Sequence, residues 1–359
     1  MSEDVYQRLA KRIDQIPNGF PATESGVERK LLAEMFTPEE AELATTMRLR
    51  PEPASEIAGR AGIDAAAALE ALHAMAQKGL ITRTSTEGEV AFSLRPFVVG
   101  FYEAWLPRMD AEFARLVEAY FQETRGGPLG DGLSVHRVIP VDVAIPFEVE
   151  VFPYERASDL VEGASSWGVR DCICRVQKSL IGEPCEHPIS NCLILGAVED
   201  AFDGSDDIRT VTKEEALDVL REAVEAGLVH SSGNYRRGVH YICNCCTCSC
   251  GVLRGIAEFG ISNAVAHSSF CAAVDSETCV GCGTCAERCQ FGALSVVDGT
   301  ARIDATRCAG CGLCVTVCPS AALRLERRPE DEIEKPPATI AHWMHERAAA
   351  RGLSMDDIA

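Results

Sequence analysis

The first 171 residues contain no cysteine, although the whole chain has 18. Nor does any window approach the roughly 20 consecutive apolar residues that a membrane-spanning helix needs, so no span is expected. The opening stretch, MSEDVYQRLAKRIDQIPNGFP, lacks the apolar core and small-residue cleavage site of a secretory signal. The sequence therefore predicts a cytoplasmic protein, in which clustered cysteines are typical of metal binding rather than of disulfides.

Positive charge is also scarce. The 34 lysines and arginines are outnumbered by 54 aspartates and glutamates, which gives a formal net charge of −20. Such a surface repels nucleic acids and anionic membranes and favours a protein partner with a basic docking surface. The length of 359 residues and a hydrophobic content of 47% predict two or three folded domains.

The region 37–95 carries the signals of three helices followed by a β-hairpin. Its opening letters, TPEE at 37–40, have the spacing of a capping box with proline at the first helical position. A further helix is expected over 64–79, and a hairpin follows with residues 87–88 at its tip. This order resembles a winged helix-turn-helix domain, and after it residues 97–122 are expected to form one long helix bent at Pro107.

A winged helix-like domain suggests DNA binding, but its charges argue against this function. Over residues 38–100, nine acidic side chains outnumber six basic ones. The phosphate contacts of lysine and arginine that supply most of the affinity of DNA-binding proteins are therefore missing. We expect no DNA binding and interpret the domain as a scaffold for protein contacts.

The strongest pattern lies downstream, where two runs of cysteines share the spacing C-x2-C-x2-C-x3-C. The run CVGCGTCAERCQ contains Cys279, Cys282, Cys285 and Cys289, and the run CAGCGLCVTVCP contains Cys308, Cys311, Cys314 and Cys318. Glycines inside each run allow the backbone to approach a bound group closely. Together with the expected hairpin ALSVVDGTARID between them, the two runs resemble the bacterial two-cluster ferredoxin domain over residues 271–328.

The resemblance implies two 4Fe–4S clusters with crossed ligands, the fourth cysteine of each run binding the other cluster. Cluster one would take Cys279, Cys282, Cys285 and Cys318, and cluster two would take Cys308, Cys311, Cys314 and Cys289. The chain departs from the family pattern at Gln290, where proline is usual. A side-chain amide at this position is expected to alter hydrogen bonding to the cluster sulfur.

Nine more cysteines lie in two segments of the middle region. The first segment, CICRVQKSLIGEPCEHPISNC, contributes Cys172, Cys174, Cys185 and Cys192, and the second, YICNCCTCSC, contributes Cys243, Cys245, Cys246, Cys248 and Cys250. Three alternatives remain open: each segment binds its own cluster, both segments share one site, or they form structural zinc knots.

Local geometry and context guide the choice among these alternatives. The side chains of the adjacent Cys245 and Cys246 diverge in most backbone conformations, so they are not expected to bind the same metal. We favour one or two further 4Fe–4S clusters over zinc, because a ferredoxin-like domain is fused next to this region. His187 is assigned by default to a polar or surface role, whereas Arg175 is either a surface charge or a hydrogen-bond donor to a cluster or to an anionic partner.

Longer stretches extend the likeness. Three stretches are similar to a family of large cytosolic 4Fe–4S ferredoxin-type proteins from anaerobes. They are RIDQIPNGFPATESGVERKLL at 12–32, DCICRVQKSLIGEPC at 171–185 and AGLVHSSGNYRRGVHYICNCCTCSCGVLRGI at 226–256. The resemblance implies electron transfer and names no substrate. Ser249 stands where the family pattern CNCCxCCC has a cysteine, so a ligand role is not carried over to it.

The sequence as a whole predicts a multi-domain α+β protein. Its expected segments are a helical, winged helix-like domain (1–126), a linker with a cysteine-rich metal-binding domain (127–270), a two-cluster ferredoxin-like domain (271–328) and a charged tail with a terminal helix (329–359).

The expected function is electron transfer through the clusters to a redox protein partner. The chain is interpreted as an electron carrier or oxidoreductase subunit, since no P-loop, nucleophile triad or dinucleotide fingerprint appears. A redox-sensing winged-helix regulator and a reductase with an open coordination site remain alternatives.

Overall fold

The computed structural model of the chain describes residues 4–86, 88–146 and 151–355. It comprises two compact units, Met1–Gly132 with Met344–Ala359, and Leu133–Trp343. All 18 cysteines lie in the second unit and carry free thiols. Among the described residues, none of the helices has the length and apolar character that crossing a bilayer requires.

The first unit is mainly helical. Its helices are α1 (Val5–Asp14), α2 (Val27–Met35), α3 (Pro38–Thr45), α4 (Ala54–Ala61), α5 (Ala65–Gln77), α6 (Tyr102–Ala104) and α7 (Ala111–Glu123), and its strands are β1 (Glu52–Pro53), β2 (Ile81–Thr86) and β3 (Glu89–Leu94). The strands form an antiparallel sheet in the order β1-β3-β2. The capping box predicted at α3 is confirmed, because Thr37 and Glu40 bond each other's backbone N–H.

The prediction of one long helix over residues 97–122 is wrong. The backbone is non-helical from Val98 to Gly100, and Pro107 lies in a short 3-10 turn after α6. The helix α7 starts afresh because Asp110 caps it, its carboxylate accepting from the N–H of Phe113 at 2.8 Å. Proline removes a backbone donor, and the nearby cap stabilises a break rather than a bend.

The second unit contains the remaining strands and most of the remaining helices. The strands are β4 (His136–Val138), β5 (Ser166–Asp171), β6 (Ser190–Gly196), β7 (Arg209–Val211), β8 (Val229–Gly233), β9 (Tyr241–Cys245), β10 (Val265–Ala266), β11 (Phe270–Val274), β12 (Leu294–Val297), β13 (Thr300–Ile303) and β14 (Leu323–Arg327). The helices are α8 (Ala157–Glu162), α9 (Ile173–Leu180), α10 (Lys213–Glu225), α11 (Gly251–Phe259), α12 (Thr284–Arg288) and α13 (Leu313–Thr316), with α14 (Ile340–Ala350) after them. The alternating apolar residues of FEVEVF at 147–152 predict a strand, and this stretch falls largely on residues 147–150, outside the described residues.

A seven-stranded sheet organises the second unit, in the order β10-β4-β8-β9-β6-β5-β7. All neighbouring strands are antiparallel except β10 and β4. Side chains of α10 pack with Leu193 of β6 and Ile242 of β9 in one apolar core. Because side chains alternate along a strand, Cys192 and Cys243 face the opposite side of the sheet.

The ferredoxin-like segment is built from two similar halves. β11 pairs antiparallel with β14, and β12 and β13 form the predicted hairpin. The short helices α12 and α13 each begin after a glycine with positive φ, Gly283 and Gly312. This repetition follows the repeated cysteine spacing in the sequence.

The capping box of α10 gives a test of the fold. Thr212 Oγ1 accepts from the Glu215 N–H at 3.2 Å, and Glu215 accepts in return from the Thr212 N–H at 2.8 Å. Losing such a cap costs about 1 kcal/mol, so Thr212→Ala is expected to accelerate amide exchange in the first turn of α10 about fivefold. Hydrogen–deuterium exchange with mass spectrometry measures this, and Thr212→Ser is the matched control. Exchange in Thr212→Ala at the same rate as in the unsubstituted protein would contradict the assignment of Thr212 as the cap of α10.

Candidate metal centres

Four thiols of the ferredoxin-like segment surround one cavity, and we call them group one. They come from both runs, and the cavity is lined by Cys279, Cys282, Cys285 and Cys318 together with glycine and apolar side chains. Burial raises the pKa of Cys285, and the neighbouring sulfurs of Cys282 and Cys318 raise it further. The fourth cysteine of the second run therefore lies with three cysteines of the first, as the crossed pattern requires.

The remaining four thiols of the two runs form group two. Burial raises the pKa of Cys311 to about 12, and the charges of Cys289 and Cys308 act in the same direction. Cys314 is buried and is likewise affected by Cys311, Cys308 and Cys289. Cys289, the last cysteine of the first run, thus lies with the second run.

Backbone geometry explains why the runs contain glycine. Gly281 has φ +65° and Gly310 has φ +71°, a region that other residues rarely adopt. A Cβ atom would lie 2.3 Å from the carbonyl oxygen of Gly299 in the first case and 2.1 Å from that of Phe270 in the second. A backbone N–H group of the neighbouring strand is directed at sulfur, since Ala301 of β13 donates to Cys279 Sγ at 3.4 Å.

In the middle region, six thiols form a connected set that we call the middle thiol group. Its members are Cys172, Cys174, Cys192, Cys243, Cys245 and Cys250. Side-chain hydrogen bonds connect Cys172 with Cys174, Cys174 with Cys250, Cys250 with Cys245, Cys245 with Cys243, and Cys243 with Cys192. Both cysteine-rich segments contribute, so neither forms this group alone.

Two helix starts and two strands bring the middle thiol group together, with Cys192 on β6. Cys172 is the N-cap of α9 and Cys250 is the N-cap of α11, while Cys174 accepts a hydrogen bond from the backbone N–H of Gly251. Cys243 and Cys245 lie two residues apart on β9 and therefore share a face. Helix N-termini stabilise negative charge, so this location suits thiolates.

The thiols of this group cannot all ionise independently. The hydrogen bond that the Cys172 thiol donates to Cys174, together with burial, raises the pKa of Cys172 well above its ordinary value. Hydrogen bonds from Cys243 and Cys250 instead lower the pKa of Cys245 to about 5. Buried thiols that compete in this way are ones that a bound metal can hold together as thiolates.

A second, compact set includes Cys246, the residue that follows Cys245, and we call it the Cys-His group. It consists of Cys185, His187, Cys246 and Cys248, whose candidate ligand atoms all lie within 4.8 Å of one another. The Sγ atoms of Cys185 and Cys246 are 4.0 Å apart, and Cys248 Sγ is 3.7 Å from His187 Nδ1. Sequence reasoning assigned His187 no ligand role, and only its position two residues after Cys185 could have indicated one.

Arg175 lies close to thiols of both sets. Its side chain is only 2% exposed, so the interpretation of Arg175 as a surface charge is wrong. Its guanidinium donates to the carbonyl of Pro188, the Asn191 side chain and the carbonyl of Asn244 at 2.6–2.8 Å. Burial alone would lower the pKa of Arg175, but the charges of Cys172 and Cys246 outweigh burial and raise it. No carboxylate within the described residues pairs with Arg175, so its charge is balanced by sulfur.

Two residues near the ferredoxin-like segment behave differently from expectation. Within the described part of the chain, the amide of Gln290 hydrogen-bonds to no sulfur: its Oε1 accepts from the N–H and Oγ1 of Thr247 at 3.0 and 2.8 Å, and its Nε2 donates to Gly227 O. The predicted effect on cluster hydrogen bonding is therefore wrong. Cys271, the one cysteine that belongs neither to the two ferredoxin runs nor to the two middle segments, hydrogen-bonds to Cys308 and lowers the pKa of Cys308 to about 6.

Comparison with known proteins agrees with this geometry. Residues 272–325 match the family model of the 4Fe-4S dicluster domain. Neither the curated proteins nor the solved structures contain a significant match to the chain. The ferredoxin-type character predicted from the two cysteine runs is thus confirmed for this segment, and it supports an iron–sulfur protein. The cysteines of the middle region indicate further metal sites.

The position of Arg175 leads to a second test. Arg175→Met would leave three hydrogen-bond acceptors unpaired next to buried sulfur, which costs roughly 3 kcal/mol. We expect the unfolding temperature of the anaerobically purified protein to fall by about 6 to 12 °C. The exposed Arg221, which pairs only with Asp218, provides the control: Arg221→Met should leave it almost unchanged. Equal unfolding temperatures for both variants would contradict the role of Arg175.

Proposed function

We propose that the protein is an iron–sulfur electron carrier or an electron-transferring subunit of an oxidoreductase. The observation that carries this proposal is the pair of crossed four-thiol groups within residues 272–325. Their donor set suits 4Fe–4S clusters: each has four sulfurs, nearby N–H donors and glycines where a side chain would obstruct the loop. Such clusters supply one-electron transfer when bound.

In this proposal, group one holds the first cluster and group two the second. The chain orients the ligands by hydrogen bonds to sulfur, including Ala322 N–H to Cys318 at 3.2 Å and Ala293 N–H to Cys289 at 3.3 Å. Hydrogen bonds to cluster ligands are among the features that set a reduction potential. Cys282 is exposed whereas Cys314 is buried, so the first cluster would be the one nearer to a partner.

We assign the middle thiol group to a further 4Fe–4S cluster. Six thiols exceed the four that such a cluster requires, which leaves two to serve as hydrogen-bonding neighbours. The N-termini of α9 and α11 and the buried Arg175 all favour negative charge at this location. The hydrogen bond from Thr247 to Gln290 connects this region with the ferredoxin-like segment, which supports its use as an entry or exit point for electrons.

The N-terminal unit is assigned to a winged helix-type scaffold that contacts proteins. The element order from α3 to β3 and the antiparallel sheet support this assignment. The basic side chains are largely engaged: Arg48, Arg50 and Arg60 pair with the buried Glu52, and Lys78 with Glu40 at 2.7 Å. Because α5 itself contains no lysine or arginine, the regulator alternative is disfavoured, and the acidic chain suits a redox partner with a basic surface.

Metal content and redox behaviour test the electron-transfer proposal. We expect about twelve irons per full-length chain, with four in each of three clusters, and reversible reduction of the two dicluster centres. The triple variant Cys174→Ser/Cys243→Ser/Cys245→Ser keeps three of the six thiols, fewer than a 4Fe–4S cluster requires. It should lose about four irons and leave the dicluster signals in electron paramagnetic resonance intact. Cys311→Ser is the reciprocal variant and should alter those signals. Iron that is unchanged in the triple variant would refute the third cluster, and irreversible reduction of the intact protein would refute the carrier function.

The charge of the N-terminal unit predicts a negative result with DNA. At ~100 mM salt, where DNA binding still depends on released counterions, we expect no measurable binding of the full-length protein to duplex DNA. Fluorescence anisotropy at this salt and at about 20 mM measures it. Sub-micromolar, sequence-dependent binding that responds to oxidation would favour the redox-sensing regulator instead.

A further inference from the structure

We propose that Cys185, His187, Cys246 and Cys248 bind one zinc ion, in a site separate from the iron–sulfur groups. A tetrahedral zinc ion with Zn–S of ≈ 2.3 Å holds two thiolates about 3.8 Å apart. The Sγ atoms of Cys185 and Cys246 are 4.0 Å apart, and those of all three cysteines and a ring nitrogen of His187 lie within 4.8 Å of one another. The four ligand atoms therefore already have nearly the spacing of a single ion.

The alternative occupant of the Cys-His group is a 4Fe–4S cluster. The spacing of the ferredoxin thiols shows how far apart the ligands of such a cluster lie. Thiolates on the corners of a 4Fe–4S cluster are separated by the cluster itself and lie much farther apart than four ligands of one ion. Among the described residues, the Cys-His group is the one set of three or more candidate ligands within 4.8 Å; neither group one, group two nor the middle thiol group forms such a set. The Cys-His group thus differs in size from every set that suits a cluster.

The fold also separates the Cys-His group from the middle thiol group. Cys245 ends β9 and hydrogen-bonds to Cys243 and Cys250 on one face of the sheet. Cys246 instead packs on Ala223 of α10 and on Leu228, with Cys185 against the same small core. The two adjacent cysteines therefore direct their sulfurs to opposite sides, and one metal centre cannot use both.

The surroundings of the Cys-His group match the charge of a zinc site with three thiolates and one imidazole, which is −1. Arg175 is buried and its positive charge acts on Cys246. Ser249 Oγ donates to Cys248 Sγ at 3.9 Å. Gln290 holds the backbone and hydroxyl of Thr247, the residue between Cys246 and Cys248. Tetrahedral sulfur and imidazole ligation is typical of structural zinc.

Zinc has no redox chemistry, so this proposal is independent of the proposed electron transfer. The ion would join segments that are 61 residues apart in the chain and hold the 246–248 loop in place. Metal analysis distinguishes the two proposals, because zinc reports on the Cys-His group and iron on the other three groups.

The test uses the full-length protein expressed with both iron and zinc supplied. We expect about one zinc per chain, and X-ray absorption at the zinc edge should show about three sulfurs at ~2.3 Å and one nitrogen at ~2.0 Å. This measurement is specific for zinc and is unaffected by bound iron. Fewer than about 0.2 zinc per chain, or zinc surrounded by four sulfurs, would overturn the assignment.

Variants locate the ion and control for misfolding. His187→Ala should lower the zinc content at least tenfold after dialysis against a chelator while leaving iron unchanged, and His187→Cys should restore zinc with a fourth sulfur. The triple variant Cys174→Ser/Cys243→Ser/Cys245→Ser, in the middle thiol group, is the reciprocal control and should lower iron without lowering zinc. Loss of iron in His187→Ala, or unchanged zinc in that variant, would refute a separate Cys-His zinc site.

Discussion

The second unit depends on accommodating many ionisable thiols in a partly buried environment. An ionised sulfur that is removed from water requires a cation or several hydrogen-bond donors. The chain supplies Arg175, the N-termini of α9 and α11 and a set of backbone N–H groups. These groups could not stabilise every cysteine as a thiolate, so the proposed metals would contribute to the stability of the fold. The converse also holds: Arg175 has no carboxylate partner within the described residues, so its own burial depends on the sulfurs.

The alternation of side chains along β9 divides the cysteine run between two environments. Cys243 and Cys245 face the middle thiol group, whereas Cys246 follows the strand and turns towards α10. A dense run of cysteines is therefore not one site with spare ligands. The run contributes to two separate sets of side chains, the middle thiol group and the Cys-His group, and residues from the segment 172–192 complete each set.

Sequence reasoning succeeded where the ligands are local and was incomplete where they are not. The ferredoxin-like segment was predictable because its spacing, its glycines and its hairpin lie within some 50 residues, and the family match at 272–325 agrees. The divergence of Cys245 and Cys246 followed from backbone geometry. Three features could not be predicted: how the middle cysteines divide into two groups, that His187 belongs to one of them, and that Arg175 is buried. They arise from tertiary packing between segments 61 or 69 residues apart, and no spacing within either segment encodes them. The break before α7 was missed because a cap at Asp110 competed with the pattern of apolar residues.

Gln290 shows how the general ferredoxin pattern is adapted to this chain. Proline, usual at this position, has no N–H and no side-chain amide, and could make none of the contacts that Gln290 makes. Here the amide receives two hydrogen bonds from Thr247 and donates one to Gly227. Gln290 directly follows Cys289 of group two, and Thr247 lies between two members of the Cys-His group. A departure that leaves all eight ferredoxin cysteines in place therefore attaches the ferredoxin-like segment to the cysteine run, and through that run to the seven-stranded sheet.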